Sequence, residues 1–199
     1  DATVETILQA TGRLVVTGVG KSGLIGQKIV ATLNSTGTPA LFMHAADAIH
    51  GDLGMIQPDD VVLLISKSGN TAEIKVLIPL LKRVGCPLVA LVSDLDSYLA
   101  RHVDHVLRAY AEREADPLNL APTTSTTVAL ALGDALAVSL LEARGFTRQD
   151  FARYHPGGAL GKKLYLKVAD IFPQNPCPQV LPDTNLKEVI FEISARRLG

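Results

Sequence analysis

Two segments of the sequence combine glycines with hydroxyl-bearing and basic side chains at spacings that could bind an anion. One of them, SKSGNT at residues 66–71, holds three hydroxyls at spacings of two and three, with a glycine that lets the backbone curl. Together with the N–H groups of a following helix, these hydroxyls would form a neutral cradle for a phosphate group. We also expect one of these hydroxyls to cap that helix. A cap needs only one hydroxyl oxygen, so capping alone does not account for all three.

The other segment, TGVGKSG at residues 17–23, is similar to two nucleotide-binding motifs and completes neither. Its glycines satisfy the GxGxxG pattern, but the acid that binds the ribose of a dinucleotide is missing from residues 38–44. A Walker loop would need a glycine at position 15, where the chain has Val15. We therefore interpret the segment as a tight turn that presents backbone N–H groups, a hydroxyl and Lys21 to an anion at a helix N-terminus.

Short apolar runs that alternate with helical stretches must position these two segments. The pattern predicts an α/β fold, a parallel sheet of about five strands flanked by helices, with the two segments side by side where the strand order reverses. The predicted strands are 14–17, 40–43, 61–66, 88–92 and 105–108, the last of them at an edge. The predicted helices are 23–34, 71–84, 97–102, 124–144 and 185–197.

The composition argues against several classes of partner and site. Lys and Arg (19) nearly balance Asp and Glu (20), so no basic field would attract nucleic acid or an anionic membrane. Cys86 and Cys177 stand alone, which favours a reducing cytosol over a disulfide framework or a zinc module. The polar opening is not typical of a secretion signal. The apolar region 128–141 is too short to cross a bilayer, which predicts a core helix.

The character of the sequence changes near its end. Four prolines fall within residues 172–182, a density that predicts a linker. The amphipathic stretch that follows is too small to be a domain, and we expect it to be the start of one. Because the sequence opens without Met and stops at Gly199, we expect it to be a fragment of a longer chain.

Five segments together resemble a known family. The two anion-binding segments, each between a strand and a helix, are similar to those of the SIS domain of phosphosugar isomerases. Three more are similar to segments of arabinose-5-phosphate isomerases within that family: AIHGDLGM at 48–55, LAPTTSTT at 120–127 and HPGGALGK at 155–162. The resemblance runs from about residue 13 to residue 171.

The resemblance implies an architecture. Residues 1–171 would be a flavodoxin- or Rossmann-like three-layer SIS domain, with the helical segment at its start cut short. Residues 172–199 would be a linker and the start of a truncated CBS domain, one of a pair of small ligand-sensing modules. The resemblance also implies a homo-oligomer, a dimer or tetramer, with active sites near the subunit contacts.

The resemblance also implies an activity, the interconversion of D-ribulose 5-phosphate and D-arabinose 5-phosphate in the cytoplasm. The product would supply the synthesis of Kdo for lipopolysaccharide or capsule, and a nucleotide-activated Kdo would be a plausible feedback ligand. Moving the carbonyl between C1 and C2 needs a base, a proton path and stabilisation of an enediol. This route needs no metal or organic cofactor, and the five histidines lack the spacing of metal ligands.

The resemblance assigns catalytic roles to five residues: Glu114, His155, His50, Lys21 and Glu73. Glu114 would be an acid–base group whose pKa burial raises toward neutrality, although the residues alone do not separate it from Glu112. His155 would be held rigidly by the Pro-Gly-Gly that follows it, and His50 would act in this or a neighbouring subunit. Lys21 would steady negative charge on the phosphate or the enediolate. The alternatives are a solvated charged loop at Glu114, a structural histidine at 155 and a helix-stabilising glutamate at Glu73.

Substrate binding is expected of eight residues: Gly20, Ser22, Ser66, Ser68, Gly69, Thr71, Ser125 and Thr126. Ser125 and Thr126 would bind sugar hydroxyls, with N-capping of the long helix as the alternative. Lys67 departs from the family, in which many relatives carry a small polar residue at this position. Its side chain would strengthen phosphate binding or point to solvent.

Other functions fit part of the pattern. A non-catalytic SIS regulator would bind a phosphosugar and keep the serine-rich segment without needing an acid–base set. An isomerase of another phosphosugar, or a lyase acting on an amino-sugar ether, is a further alternative, and the segments at 48–55 and 155–162 argue against the lyase. A paralogue linked to hexitol uptake would catalyse the same reaction.

Overall fold

The structure is a computed structural model that describes residues 2–171 and 178–196. The chain divides into two compact units, one up to residue 151 and one from residue 152 onward. All five predicted strands and the two predicted anion-binding segments lie in the first unit.

One parallel sheet organises the first unit, and its strands agree with the predicted ones to within one residue. In chain order they are β1 (Leu14–Gly18), β2 (Ala40–His44), β3 (Val61–Ser66), β4 (Leu88–Val92) and β5 (His105–Arg108). In space the order is β2-β1-β3-β4-β5, and every neighbouring pair is parallel. The most apolar strand, β3, is central and buried at every residue, whereas β5 lies at an edge as predicted.

Helices cover both faces of the sheet, which confirms the three-layer α/β prediction. The helices of this unit are α1 (Ala2–Gln9), α2 (Lys21–Ser35), α3 (Ala72–Val84), α4 (Tyr98–Arg101) and α5 (Thr124–Ala143). Side chains alternate along each strand, so Val15 packs in the core under α3 and α4, whereas Val16 packs in the core under α1, α2 and α5. Two apolar layers therefore hold the sheet between its helices.

The long apolar helix α5 is a core helix, as predicted. By length and composition alone it could cross a membrane, but one of its faces is buried on the sheet through Ala129, Leu136 and Leu140. It also packs closely on α2, because a Cβ atom at Gly133 would lie 2.2 Å from Cδ1 of Ile29. Glycine at this position lets the two helices approach one another.

The strand order reverses between β1 and β3. The chain leaves β1 for β2 on one side and leaves β3 for β4 on the other, so a crevice opens beyond the carboxyl ends of the two central strands. The segments 17–23 and 66–71 follow these two strands. They therefore lie side by side at the reversal, as the sequence predicts.

The opposite, amino-terminal edge of the same two strands is joined by an ion pair between a buried carboxylate and a partly exposed arginine. Asp60 is 1% exposed and accepts hydrogen bonds from the backbone N–H of Arg13 at 2.7 Å and of Gln57 at 2.9 Å. A guanidinium nitrogen of Arg13 lies 3.3 Å from Oδ2 of Asp60. Burial alone would raise the pKa of Asp60, but these hydrogen bonds and the adjacent positive charge lower that pKa below its ordinary value.

Replacing Asp60 by Asn is expected to lower the free energy of unfolding at pH 7 by about 1–3 kcal/mol, because the buried donors lose a charged acceptor. The folded pKa lies below the unfolded one, so this stabilisation is present above about pH 4 and is lost as the pH falls through the folded pKa. Urea unfolding at a series of pH values measures the difference. The matched control is Asp59→Asn at an exposed neighbour; an equal loss in both variants contradicts the assignment.

The second unit is helical in the part that the structure describes. Helix α6 (Arg148–Tyr154) crosses the boundary between the units, and α7 (Ala159–Tyr165), α8 (Val168–Ile171) and α9 (Leu186–Arg196) follow. Helix α9 confirms the amphipathic helix predicted at 185–197. The predicted proline-rich linker falls largely on residues 172–177, which lie outside the described residues. The domain boundary at residue 171 stays a prediction.

Candidate active site at the carboxyl edge of the sheet

A cavity of about 330 Å³ lies at the carboxyl ends of β1, β3 and β4. Its apolar surface comes from strand ends and from α2 and α5, for example Ile65, Leu91 and Ala129. Its polar surface consists of hydroxyls and two ammonium groups, contributed by Lys21, Ser22, Ser66, Lys67, Ser68, Thr71, Ser93, Ser125 and Thr126. Ligand sites typically combine an apolar lining with a few polar groups in this way, and the two lysines favour an anion. The predicted convergence of the two loops on one site is therefore confirmed.

The loop at 66–71 has the curled backbone that its glycine predicts. Gly69 has φ +64°, and a Cβ atom there would lie 2.3 Å from the Oγ of Ser97. The Oγ of Ser66 accepts the N–H of Gly69 at 3.1 Å, and the carbonyl of Gly69 accepts the N–H of Leu99 at 3.0 Å. Only glycine fits this close, left-handed position, so Gly69 fixes the shape of the loop.

The expectation that one of the three hydroxyls caps α3 is wrong. Thr71 occupies the N-cap position, but its side chain makes no capping hydrogen bond. The Oγ of Ser68 accepts the N–H of Asn70 at 3.3 Å, within the loop itself. All three hydroxyl-bearing residues line the cavity, which favours the phosphate cradle over the cap.

The loop at 17–23 and the start of α2 add a lysine and a serine to the lining of the cavity. Gly20 turns the chain with φ +56° immediately before α2 begins at Lys21. Gly18 packs closely on the first turn of α2 and on the end of β3. A Cβ atom there would lie 3.0 Å from the carbonyl carbon of Ser22 and 3.1 Å from the carbonyl oxygen of Ile65. Lys21 is exposed and lines the cavity, so its ammonium is placed to attract a phosphate.

Glu114 lies behind this cavity in a dense set of hydrogen bonds. It is 1% exposed, and its Oε1 lies 2.6 Å from Nζ of Lys67 and accepts the hydroxyl of Ser125. Its Oε2 accepts the backbone N–H groups of Thr123 at 2.9 Å and Ser125 at 3.1 Å. The carboxylate therefore caps the N-terminus of α5, where the helix dipole favours a negative charge.

The direction predicted for the pKa of Glu114 is wrong. The Lys67 ammonium, the Ser125 hydroxyl and the Thr123 N–H together hold the pKa of that carboxyl well below its ordinary value. Burial acts in the predicted upward direction, but the charged and hydrogen-bonded partners outweigh it. In this arrangement Glu114 is an ionised group and a weak base.

The structure separates the two glutamates that the sequence left open. Glu112 is exposed, whereas Glu114 is buried and its backbone N–H donates to Oδ1 of Asn119 at 2.6 Å. Asn119 adopts φ +55° to make this turn. A solvated charged loop is therefore excluded as the role of Glu114.

Lys67 does not simply point into solvent, which was one of the two roles considered for it, and a role in phosphate binding stays a prediction. Its side chain is 48% exposed and lines the cavity, but its ammonium pairs with Glu114 instead of pointing away into solvent. The two residues are 47 positions apart, so no local pattern in the sequence indicates the contact.

Ser125 and Thr126 both line the cavity, and neither is the N-cap of α5, which is Thr123. The Ser125 hydroxyl is bonded to Glu114, and the Thr126 hydroxyl donates to the Thr123 carbonyl at 2.9 Å. N-capping by either side chain is therefore wrong. Their binding of sugar hydroxyls stays a prediction.

Two predicted catalytic residues of the first unit, His50 and Glu73, are not among the residues that line the cavity. His50 is exposed at the end of a 3₁₀ turn (Ala48–His50), and Glu73 is partly exposed in the first turn of α3. His155 belongs to the second unit, where it is partly buried in the turn after α6. That turn packs tightly on α7, because a Cβ atom at Gly161 would lie 2.3 Å from the His155 carbonyl oxygen.

Two polar groups of the site were missed at the level of sequence. Ser93 follows β4 directly, lines the cavity and donates its backbone N–H to the Lys67 carbonyl at 3.1 Å. A hydroxyl at the end of a neighbouring parallel strand is a signal that could have found it. Thr123, which binds Glu114, has no such local signal. Within residues 2–171 and 178–196, no group of three or more His, Cys, Asp or Glu side chains is placed to hold a metal ion.

Comparison with known sequences places this site in a family context. The sequence profile described as the SIS domain matches residues 7–139. The arabinose 5-phosphate isomerase KdsD of Pseudomonas aeruginosa is 55% identical over 196 residues, which make up 98% of this chain and 60% of that protein. The KdsD of Escherichia coli K12 is 50% identical with the same shares. The chain thus spans about three fifths of the length of these curated relatives.

A solved structure is similar in both sequence and fold. The protein c3406 of E. coli CFT073, in complex with arabinose 5-phosphate, is 47% identical to this chain and superposes with a TM-score of 0.76. The superposition covers 78% of this chain and 82% of that one.

Proposed function

This chain belongs to the SIS domain family, and on that premise we propose that it is an aldose–ketose isomerase that interconverts D-ribulose 5-phosphate and D-arabinose 5-phosphate. The observation that carries the proposal is a cavity in which a curled, hydroxyl-rich loop lies next to a buried carboxylate. The names of the relatives and the arabinose 5-phosphate complex of the structural neighbour support this choice of substrate.

In this proposal the phosphate binds at the end of β3. The hydroxyls of Ser66, Ser68 and Thr71 line the cavity beside the N-terminus of α3, where the peptide dipoles favour an anion. Lys21 supplies a positive charge from the start of α2. The pentose would then extend toward the N-terminus of α5, with Ser125 and Thr126 beside its hydroxyls.

The chemistry moves one proton and one carbonyl. A base removes a proton from C1 of the ketose, and the C1–C2 enediolate forms. The proton then returns at C2, and a proton moves from the oxygen on C1 to the oxygen on C2. These steps give the aldose. We propose that Glu114 is the base and that Lys21 steadies the negative charge of the phosphate. The sum of these steps consumes no oxidant, reductant or second substrate.

We propose further roles for three other residues and for the end of the chain. The exposed position of His50 suits an active site completed by a neighbouring subunit, in a homo-oligomer that we propose to be a tetramer. His155 and Glu73 would take part in catalysis, as the family resemblance implies. Residues 172–199 would be the linker and start of a CBS domain, and a nucleotide-activated Kdo would be the feedback ligand of an enzyme of Kdo synthesis in the cytoplasm.

A phosphosugar-binding regulator is the second candidate, and one observation favours it. The partners of Glu114 keep its pKa low, which suits a structural anion better than a base. The two functions differ in turnover, since a regulator would bind the same phosphosugar and leave it unchanged.

Incubation of the purified chain with ribulose 5-phosphate, followed by ¹H NMR of the anomeric region, tests the proposal. We expect arabinose 5-phosphate to appear and no product from ribulose, which lacks the phosphate that the loop at 66–71 would bind. Glucose 6-phosphate, whose sugar has one carbon more than that of ribulose 5-phosphate, is the control for the length of the sugar. Binding of ribulose 5-phosphate without conversion would contradict the isomerase and favour the regulator.

A further inference from the structure

One side chain joins the two parts of the proposed active site. Lys67 lies within the loop at 66–71, between Ser66 and Ser68, and lines the cavity with them. Its ammonium lies 2.6 Å from Oε1 of Glu114, whose side chain is 1% exposed and outside the cavity lining. Lys67 therefore belongs to the proposed phosphate-binding loop and also contacts the carboxylate of Glu114.

The arrangement leaves the carboxylate poorly suited to remove a proton from carbon. An effective base at neutral pH needs a pKa near 7, and an opposite charge in contact lowers a carboxylate pKa. The other partners of the Glu114 carboxylate are the hydroxyls and backbone N–H groups of Thr123 and Ser125, all of them uncharged and all at the start of α5. Lys67 is therefore the partner whose departure would change the charge next to Glu114.

A phosphate in the cavity would compete for this cation. The Lys67 side chain is 48% exposed and has a flexible four-carbon stem, so it is able to change partner without moving the backbone. Lysine binds phosphate as a point charge and forms strong charge-assisted hydrogen bonds with it. Loss of the ammonium and arrival of a negative phosphate both act to raise the pKa of Glu114.

We propose that Lys67 is a positioning residue that exchanges partners when phosphate binds, pairing with Glu114 before binding and with the phosphate afterwards. Glu114 then becomes a competent base only while a phosphorylated ligand occupies the cavity. The role of Glu114 as base rests on the proposed function, whereas the exchange of partners is measurable without turnover.

Few other charges face Glu114. Lys21, at the start of α2, lines the same cavity and would share the phosphate. Asp116, on the loop of Glu114 itself, is engaged by the backbone N–H groups of Leu118, Leu120 and Ala121. Lys67 is the charged group that contacts Glu114 among the residues that the structure describes.

The test follows the Glu114 carboxyl carbon by ¹³C NMR in protein labelled at glutamate, from pH 8 down to the pH at which the protein begins to unfold, with inorganic phosphate as the probe. Glu114→Gln assigns the signal, because it removes that signal alone. In the wild type we expect the Glu114 carboxyl to stay ionised throughout this range without phosphate, and its titration midpoint to rise into the range with saturating phosphate. In Lys67→Met we expect the midpoint to lie within the range already without phosphate, and phosphate to change it little.

Two further variants serve as controls. Lys75→Met removes an exposed lysine from α3 that lies outside the cavity lining, and we expect it to behave like the wild type. Lys67→Arg keeps a cation beside Glu114 and should restore most of the phosphate-induced shift, which guards against a folding defect in the methionine variant.

Three outcomes would overturn the inference: phosphate that binds without moving the Glu114 midpoint, an equal shift in wild type and Lys67→Met, or no phosphate binding at all. The result is separable from the proposed function. A phosphate-induced shift in a protein that does not isomerise ribulose 5-phosphate would overturn the proposed function and leave the exchange of partners standing. Isomerisation of ribulose 5-phosphate without the shift would overturn the exchange of partners and leave the proposed function standing.

Discussion

Replacing Glu114 by Gln is expected to lower kcat for the isomerisation of ribulose 5-phosphate by about 10²–10⁴-fold, the usual contribution of a positioned acid–base group. Glutamine keeps the shape of the side chain and a carbonyl acceptor for the N–H groups of Thr123 and Ser125, so the N-terminus of α5 should stay in place. What it removes is the ability to accept a proton from carbon. Steady-state kinetics over a range of substrate concentrations separates the effect on kcat from the effect on KM.

The matched control for this variant is Glu112→Gln, two residues earlier in the same loop. Glu112 is exposed, whereas Glu114 is buried, so the control removes the same charge from the same segment without touching the site. We expect it to retain kcat within about twofold, because exposed charges contribute little. Equal kcat values in the two variants would show that Glu114 is only a structural anion at the start of α5.

A side chain at Gly69 is expected to raise KM for ribulose 5-phosphate by about tenfold or more in the Gly69→Ala variant. The added Cβ would lie 2.3 Å from the Ser97 Oγ, and the residue has φ +64°, which non-glycine residues adopt at a cost of about 1–2 kcal/mol. The loop at 66–71 must therefore shift, and displacements of about 1 Å in a binding site have large effects. Isothermal titration with inorganic phosphate measures the same loss without turnover.

Gly85→Ala provides the control for strain alone. Gly85 ends α3 with φ +87°, and a Cβ atom there would have nothing within 4 Å. We expect both variants to lose stability to thermal unfolding, because each places alanine in a left-handed conformation. Only Gly69→Ala should lose phosphate affinity, and an equal loss of affinity in Gly85→Ala would contradict a specific role for the loop.

The fold was predictable because its signals are local. Each strand is a short apolar run bounded by polar or glycine residues, and β3 and β4 have the predicted limits. The loop at 66–71 was predictable for the same reason, since its hydroxyls and Gly69 lie within six residues. The parallel order of the sheet then brings this loop next to the one at 17–23 without any further information.

The electrostatics of the site were not predictable, because they depend on contacts between distant parts of the chain. Burial of Glu114 was anticipated, and burial alone raises a carboxyl pKa. The opposite direction in the structure comes from Lys67, 47 residues away, and from Ser125 and Thr123 at the start of α5. The bond from the Ser125 hydroxyl to Glu114 was not predictable for the same reason, because it requires the tertiary fold.

The central claim, isomerisation of a phosphopentose through an enediol with Glu114 as base, is tested most directly in deuterated water. Wild-type protein and Glu114→Gln are incubated with ribulose 5-phosphate over many turnovers, and the product is followed by NMR. We expect arabinose 5-phosphate with deuterium at C2 from the wild type, since the proton on the base exchanges with solvent, and almost none from the variant. Product without deuterium at C2, or bound substrate that is never converted, would contradict the claim.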